Sequence, residues 1–338
     1  MAREKPSLPP LIRASSGSAI ELGLIQGFLN AHPTTAYLLT YVEGKCTANC
    51  SFCSQARSSQ SLTDRLSRVA WPVFATAGVL QQLAKAVRVG RIRRACIQTL
   101  NYAEVFDDLT ALVKGVKSLR MKLPISVCCQ PLSRERIVRL GEAGVDRIGI
   151  PLDAATEEVF DRVKGRSAGG PYDWHRQHDI LLEAVDVFGR GKVSTHLMVG
   201  LGESEREMVE IAQWCVDNGV YPGLFAFTPL QGTCLERQPA PRIDHYRRVQ
   251  LARYLLVQDM TRVERMSFNE KSCISGFGIT RKLLKDVIRS GVPFLTSGCP
   301  DCNRPYYNEK PSGPLYNFPT QPTIQEIEEI RKQLDGLG

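Results

Sequence analysis

Short apolar runs alternate with amphipathic or charged segments over most of this chain, and that alternation limits the fold more than any other feature. Candidate strands lie at 36–42, 94–99, 124–128, 147–152, 193–199, 223–227, 263–268 and 292–296. Between them, 107–119, 133–143, 155–164, 178–188 and 204–217 have helical period. Regular β–α alternation predicts a parallel sheet. Eight candidate strands favour an α/β fold of closed (βα)8 TIM type, with an open doubly wound sheet as the alternative. Residues 1–35 read as an N-terminal extension with a helix over 19–29, residues 36–296 as the barrel, and 297–338 as a C-terminal extension. The extension contains an irregular stretch at 305–319. It ends in a helix that Thr323 and Glu326 would box-cap, with Ile324, Ile327, Ile330 and Leu334 facing the barrel.

The first candidate strand runs into Cys46-Thr47-Ala48-Asn49-Cys50-Ser51-Phe52-Cys53, a CxxxCxxC spacing. Three thiolates on one tight loop hold three irons of a cubane [4Fe–4S] cluster and leave the fourth iron without a protein ligand. An open iron can bind a small chelating molecule and pass it an electron, which is the arrangement needed to cleave S-adenosylmethionine (SAM) into a radical. The competing readings are a zinc site and three unrelated buried cysteines. Zinc sites usually take four ligands in paired knuckles, and three cysteines in eight residues are rare by chance.

Hydrophobic content of 43% and charge of 23% are those of a globular protein. No apolar run approaches the ~20 residues that span a bilayer, and the opening MAREKPSLPP lacks the apolar core of a secretory signal. Eleven cysteines, an odd number, then read as reduced thiols and metal ligands. Together these features predict a cytoplasmic protein with no membrane partner. The net charge of +8 suits an anionic substrate or an acidic carrier protein. No dense Lys/Arg run with interleaved aromatics argues for nucleic acid.

In barrels of this kind the working face is where the strands' C-terminal ends emerge, and the cysteine motif sits there. Cys273 follows the seventh candidate strand, and Cys299 and Cys302 follow the eighth, so this late trio is expected near the motif as ligands of a second iron–sulfur cluster. Zinc is the alternative for the CPxC pair, and the fourth position falls to Cys234, to a non-cysteine ligand or to an open iron. Phe52 would stack on the SAM adenine or simply pack the loop, and Gln98 and Thr99 would meet the methionine amine. Asp153 would bind the ribose hydroxyls or cap the next helix. Arg166 would pair with the methionine carboxylate or stand as a solvated arginine, and Gly200 and Gly202 would let the backbone approach a ligand closely. Cys215 reads as core, and Cys96, Cys128 and Cys129 read as interior packing. Neither His175 nor His196 has a spacing that argues for a metal.

These residues resemble the radical SAM superfamily and, within it, the biotin synthase-like group, from about Tyr41 to Phe268. The likeness rests on Cys46/Cys50/Cys53 with Ser54-Gln55, on Cys96-Ile97-Gln98, Leu132-Ser133-Arg134-Glu135, Ala143-Gly144-Val145-Asp146 and Leu152-Asp153. It extends through Lys192-Val193 to Val199-Gly200-Leu201-Gly202-Glu203. It implies Asp153 on ribose and Arg166 on the SAM carboxylate. Biotin synthases hold a [2Fe–2S] cluster inside the barrel with three cysteines and an arginine. Matching positions here are Cys96, Cys128 or Cys129, and Arg265, while Ser194 replaces the third cysteine. The C-terminal Cys273 and Ser297-Gly298-Cys299-Pro300-Asp301-Cys302 have no counterpart there, and the whole chain looks most like one component of the two-protein lipoyl synthases. That likeness implies sulfur insertion into a protein-bound octanoyl chain, with an auxiliary [4Fe–4S] cluster as sulfur donor. The implied partners are an octanoylated lipoyl carrier, a second radical SAM protein and a low-potential ferredoxin- or flavodoxin-type electron donor. Ser15 or Ser16, in a segment similar to an iron-ligating Arg-Ser-Ser, would be an iron ligand or a helix N-cap. The alternatives are biotin-like sulfur insertion on a small molecule, a rearrangement or methylation with an electron-relay cluster, and a non-catalytic carrier-binding partner.

Overall fold

The computed structural model describes residues 7–130 and 133–334, so Leu132 of the resemblance motif lies outside the described residues. The strands are β1 (Leu11–Ala14), β2 (Thr35–Thr40), β3 (Arg65–Leu66), β4 (Val69–Ala70), β5 (Val73–Ala75), β6 (Arg94–Gln98), β7 (Ile125–Cys128), β8 (Arg147–Gly149), β9 (Val193–Val199), β10 (Val220–Ala226), β11 (Ser267–Phe268) and β12 (Ile274–Gly276). The helices are α1 (Ser16–Glu21), α2 (Thr76–Arg88), α3 (Val105–Ser118), α4 (Arg134–Glu142), α5 (Glu157–Val163), α6 (Trp174–Phe188), α7 (Glu205–Asp217), α8 (Ile243–Val257), α9 (Arg281–Arg289) and α10 (Ile324–Gln333).

One eight-stranded sheet dominates, in the order β10-β9-β8-β7-β6-β2-β1-β5. The run from β2 to β10 is parallel, as β–α alternation requires. This is the α/β, TIM-type architecture expected, with eight strands, but two of the eight come from the N-terminal side. Strand β1, inside the predicted extension, pairs antiparallel with both β2 and β5. The candidate strand at 263–268 instead splits into a 3-10 turn (Val263–Arg265) and β11, which pairs only with β12 in a separate hairpin. The one at 292–296 is a 3-10 turn (Val292–Phe294) followed by a single bridge from Leu295 to Phe318. Pro293 has no N–H to give a ladder, which accounts for that outcome.

The chain after this turn, 296–308, forms a strap that spans β10, β6 and β2. The Ser297 Oγ accepts the N–H of Leu224 at 2.7 Å, Arg94 Nε donates to the Pro300 carbonyl at 2.9 Å, and Thr35 Oγ1 donates to the Asp301 carbonyl at 3.0 Å. Strand pleat sorts the side chains. On β9, Val193, Thr195, Leu197 and Val199 are buried, while Ser194, His196 and Met198 line interior cavities. The helices pack on the other face through aliphatic layers that include Cys215, fully buried as expected.

The predicted helix at 19–29 is the shorter α1, whose N-cap is Ser15; its Oγ accepts the Ser18 N–H at 3.3 Å. The capping box of Thr323 and Glu326 is present on α10. Ile330 and Leu334 are buried, but Ile324 is 78% exposed, because the helix enters from solvent and docks only by its second half. Among the described residues no helix is long and apolar enough to cross a membrane.

Candidate active site

Two adjoining cavities occupy the interior of the sheet. The upper one lies past the C-terminal end of β2 and is lined by Cys46, Cys50 and Cys53, together with Phe52, Gln98, Thr99 and Asp153. Each of these seven residues was expected at one site from the sequence. The Asn101 N–H donates to Cys46 Sγ at 3.1 Å, and the Gln55 N–H donates to Cys53 Sγ at 3.4 Å. Burial pushes the Cys50 thiol upward and the Cys53 thiol up to about 12. Such thiols ionise only with compensating positive charge, and N–H donors aimed at sulfur favour the ionised form. The donor set therefore fits an iron–sulfur cluster.

Asp153 sits where the chain leaves β8, at φ +70°, bridged to Leu197 of β9. Its Oδ2 accepts from Lys164 Nζ at 2.7 Å. Lys164 is fully buried, also donates to the Pro151 carbonyl, and lies over the rings of Phe160 and Tyr172. Sequence reasoning passed over Lys164 in favour of its neighbour Arg166. In the structure Arg166 is exposed and lines neither cavity, its backbone N–H bound by Asp161 Oδ1. Its expected role on a SAM carboxylate therefore has no geometric support.

Gly200 and Gly202 also fall outside both cavities. They have φ of +105° and +119°, but the loop they shape closes on Glu203. That carboxylate accepts the N–H groups of Gly200 at 2.7 Å and Leu201 at 2.9 Å, leaving those amides no ligand to meet. The ligand approach expected of these glycines is corrected to a loop that satisfies itself.

The lower cavity lies inside the sheet and contains four cysteines: Cys96 of β6, Cys128 of β7, and Cys299 and Cys302 of the strap. Cys96 and Gln98, like Ser126 and Cys128, face inward by the two-residue period of their strands. Cys129 has the opposite parity and packs among the aliphatics of the outer layer, while also bordering the upper cavity. Ser126 Oγ lies 3.3 Å from Cys299 Sγ, Tyr37 OH lies 3.4 Å from Cys302 Sγ, and His196 Nε2 lies 3.8 Å from Cys128 Sγ. Burial raises the thiols of Cys96, Cys302 and Cys128, the last to about 12, and drives the His196 imidazole down to about 4, so it is neutral. The Arg304 guanidinium enters the same cavity, 3.7 Å over the Phe225 ring.

Cys273 is not with this group. It lies in the β11–β12 hairpin, which docks on the start of α7: the Ile274 N–H donates to Glu205 Oε2 at 2.7 Å and the Arg206 N–H to the Ser272 carbonyl at 3.2 Å. It lines neither cavity. The expected trio of Cys273, Cys299 and Cys302 is thus corrected, because the seventh candidate strand that was to bring Cys273 inward is absent from the sheet. Cys234 and Arg265 are exposed, and Ser194 faces the lower cavity. Among the described residues no three His, Cys, Asp or Glu side chains gather round a single metal-ion position. Thiolates that each bind a separate iron of a cubane stand further apart than ligands sharing one ion.

A family model described as the Radical SAM superfamily matches residues 42–215. Similar curated proteins include the biotin synthase of Chlamydia pneumoniae, 26% identical over 227 residues, covering 64% of this chain and 62% of that protein. The biotin synthase of Myxococcus xanthus is 26% identical over 245 residues, covering 70% of this chain and 66% of that protein. The chain spans less than two thirds of the length of these relatives. Among solved structures, methylornithine synthase superposes with a TM-score of 0.52 at 13% identity, covering 72% of this chain and 67% of that one. A maturase of the FeFe-hydrogenase from Carboxydothermus hydrogenoformans gives 0.52 at 15% identity, covering 72% and 56%. At these identities the structural likeness is one of fold.

Proposed function

Because the chain belongs to the radical SAM superfamily, we propose that it is a sulfur-insertion enzyme of lipoyl-synthase type, acting on unactivated C–H bonds of an octanoyl chain held on a carrier protein. The observation that carries this reading is the adjacency of the two cysteine-lined cavities, which share Gln98, Cys128, His196, Phe225 and Tyr307 as a common wall. Alkyl C–H bonds are not acidic enough for a side chain to deprotonate. With the groups bound, a [4Fe–4S] cluster on Cys46, Cys50 and Cys53 and SAM supply hydrogen-atom abstraction, and a second [4Fe–4S] cluster supplies sulfur.

The chain's own residues position the reactants and exclude water. Phe52, Gln98, Thr99 and Asp153 are the groups available to SAM in the upper cavity, and the Lys164 ammonium fixes the Asp153 carboxylate. Leu66, Leu100, Phe227 and Leu230 present apolar wall to an alkyl chain. The net charge of +8 suits an acidic carrier. A second radical SAM protein and a low-potential ferredoxin- or flavodoxin-type donor complete the proposed system.

The test is anaerobic reconstitution with an octanoylated carrier peptide, with and without a second radical SAM protein, read by mass and by release of 5′-deoxyadenosine. Thiolated peptide is expected from the parent chain and neither product from Cys50→Ala. The curated relatives are named biotin synthase, which favours sulfur insertion on a small molecule as the second reading. Deoxyadenosine with no thiolated peptide, but with sulfur entering a free small molecule, selects it. Two clusters intact after turnover select an electron-relay role, and no deoxyadenosine from the parent chain removes the enzyme reading altogether.

A further inference from the structure

We propose that Cys96, Cys128, Cys299 and Cys302 ligate the second cluster together, as a site in which every iron has a cysteine, closed by the C-terminal strap. The proposal deepens the two-cluster reading above and rests on it. It departs from both sequence expectations, the late trio with Cys273 and the arginine-containing set with Arg265.

The four thiols converge from two independent directions. Cys96 and Cys128 are on adjacent parallel strands paired in register, Cys96 with Ser126 and Gln98 with Cys128, and strand pleat turns both inward. Cys299 and Cys302 arrive on the strap, which Ser297, Pro300 and Asp301 pin to β10, β6 and β2. At Gly298, just before Cys299, a Cβ would stand 2.8 Å from Cys302 Sγ, and the Cys302 N–H donates to the Cys299 carbonyl at 2.9 Å, so the turn folds back tightly on that sulfur.

A packed core would surround such thiols with aliphatic groups, yet polar groups meet them here. The Ser126 and Tyr37 hydroxyls stand at hydrogen-bond distance from Cys299 and Cys302, and donors at sulfur are what bound thiolates need. A cubane with four thiolates carries net negative charge. Arg304 brings a cation into the cavity, held by a hydrogen bond from its Nη2 to the Ser297 carbonyl at 3.1 Å and by the Phe225 ring. No iron is left open in such a site, so SAM has no place to bind on it.

The experiment uses the full chain carrying Cys46→Ala, Cys50→Ala and Cys53→Ala, which removes the radical cluster. After anaerobic reconstitution with iron and sulfide, the variant is expected to keep about four irons per chain and, when reduced, a paramagnetic signal that added SAM does not shift. Adding Cys96→Ser, Cys128→Ser, Cys299→Ser or Cys302→Ser should lower the iron content or change the signal; adding Cys273→Ser should do neither. Limited proteolysis supplies a second readout, since iron binding should protect the strap. Circular dichroism of each variant before reconstitution checks that it folds. Loss of all iron in the triple variant, or dependence on Cys273 with none on Cys96 or Cys128, overturns the ligand set. That failure is separable from failure of the proposed function, because SAM cleavage by the parent chain is measured independently.

Discussion

Replacing Lys164 by Met tests whether the sequence-silent ion pair beneath the upper cavity holds the site together. The Lys164 side chain has no exposure and that of Asp153 only 8%, with 2.7 Å between Nζ and Oδ2. Met keeps most of the volume and removes the charge, leaving a buried carboxylate without its cation. Breaking one side of such a pair costs about 3–5 kcal/mol. At about 2.1 cal/mol/K per residue, a chain of 338 residues has an unfolding entropy of about 0.7 kcal/mol/K, so Tm should fall by about 4–7 °C. The assay is thermal melting followed by far-UV circular dichroism, on Lys164→Met, Asp153→Asn and the double variant. Removing both charges leaves nothing uncompensated, so the double variant should be more stable than the sum of the single losses by more than ~1 kcal/mol. Single losses below ~1 kcal/mol, or additivity within ~0.5 kcal/mol, would refute the coupling.

Three further outcomes follow from the geometry. In Gly170→Ala the new Cβ would lie 2.0 Å from the Lys164 carbonyl oxygen, and because backbone cannot swing aside, a loss of about 1–3 kcal/mol or more is expected in the same melts. Burial between Trp174 and Trp214 holds the His178 imidazole below the usual histidine range. The unfolded chain therefore takes up that proton first as pH drops below about 6.5, and stability is lost as pH falls further. His178→Gln should show a flatter acid limb in urea titrations from pH 7 to 5, and an unchanged slope would count against the burial argument. Cys215 is fully buried in the outer aliphatic layer, away from both cavities. Cys215→Ala should leave deoxyadenosine release and iron content at parent levels while costing about 1 kcal/mol of stability.

The parallel strands were legible because each combines a short apolar run with a following helical segment, and the CxxxCxxC triad was legible from spacing alone. Strand β1 was not. Leu11-Ile12-Arg13-Ala14 is four residues long and carries an arginine, whose burial is offset by a 2.8 Å bond from Nη1 to the Trp71 carbonyl, 58 residues away, and by the Tyr41 ring, 5.2 Å from the guanidinium. Pro293 already argued against a strand at 292–296, and the charged pair Glu264-Arg265 against one at 263–268. Reading both as strands is what carried Cys273 toward the site on paper. Lys164 was hidden for a different reason: a lysine at a helix C-terminus normally reads as solvated, and its partner lies 11 residues back on another element.

The strongest unread signal was the polar parity of the inner strands. A TIM-type interior is normally filled by layers of Val, Ile and Leu. Here Cys96 and Gln98 alternate with Ala95 and Ile97, Ser126 and Cys128 with Ile125 and Val127, and Ser194 and His196 with Val193, Thr195 and Leu197. Strands covered by helices on one face must bury their apolar set there, so the polar set has to face the barrel interior. Three strands of one sheet, β6, β7 and β9, with polar inward faces cannot fill that interior with a dry aliphatic core, since each buried polar group needs a partner. Hydroxyl, imidazole and guanidinium groups gathered about four thiols give one another partners, and they are the surroundings that the proposed cluster would meet. The same parity argument ties Cys96 and Cys128 to the strap. Residues 296–304 lie over the inward faces of β2, β6 and β10, where a further parallel strand would have left no room for the cysteines they carry.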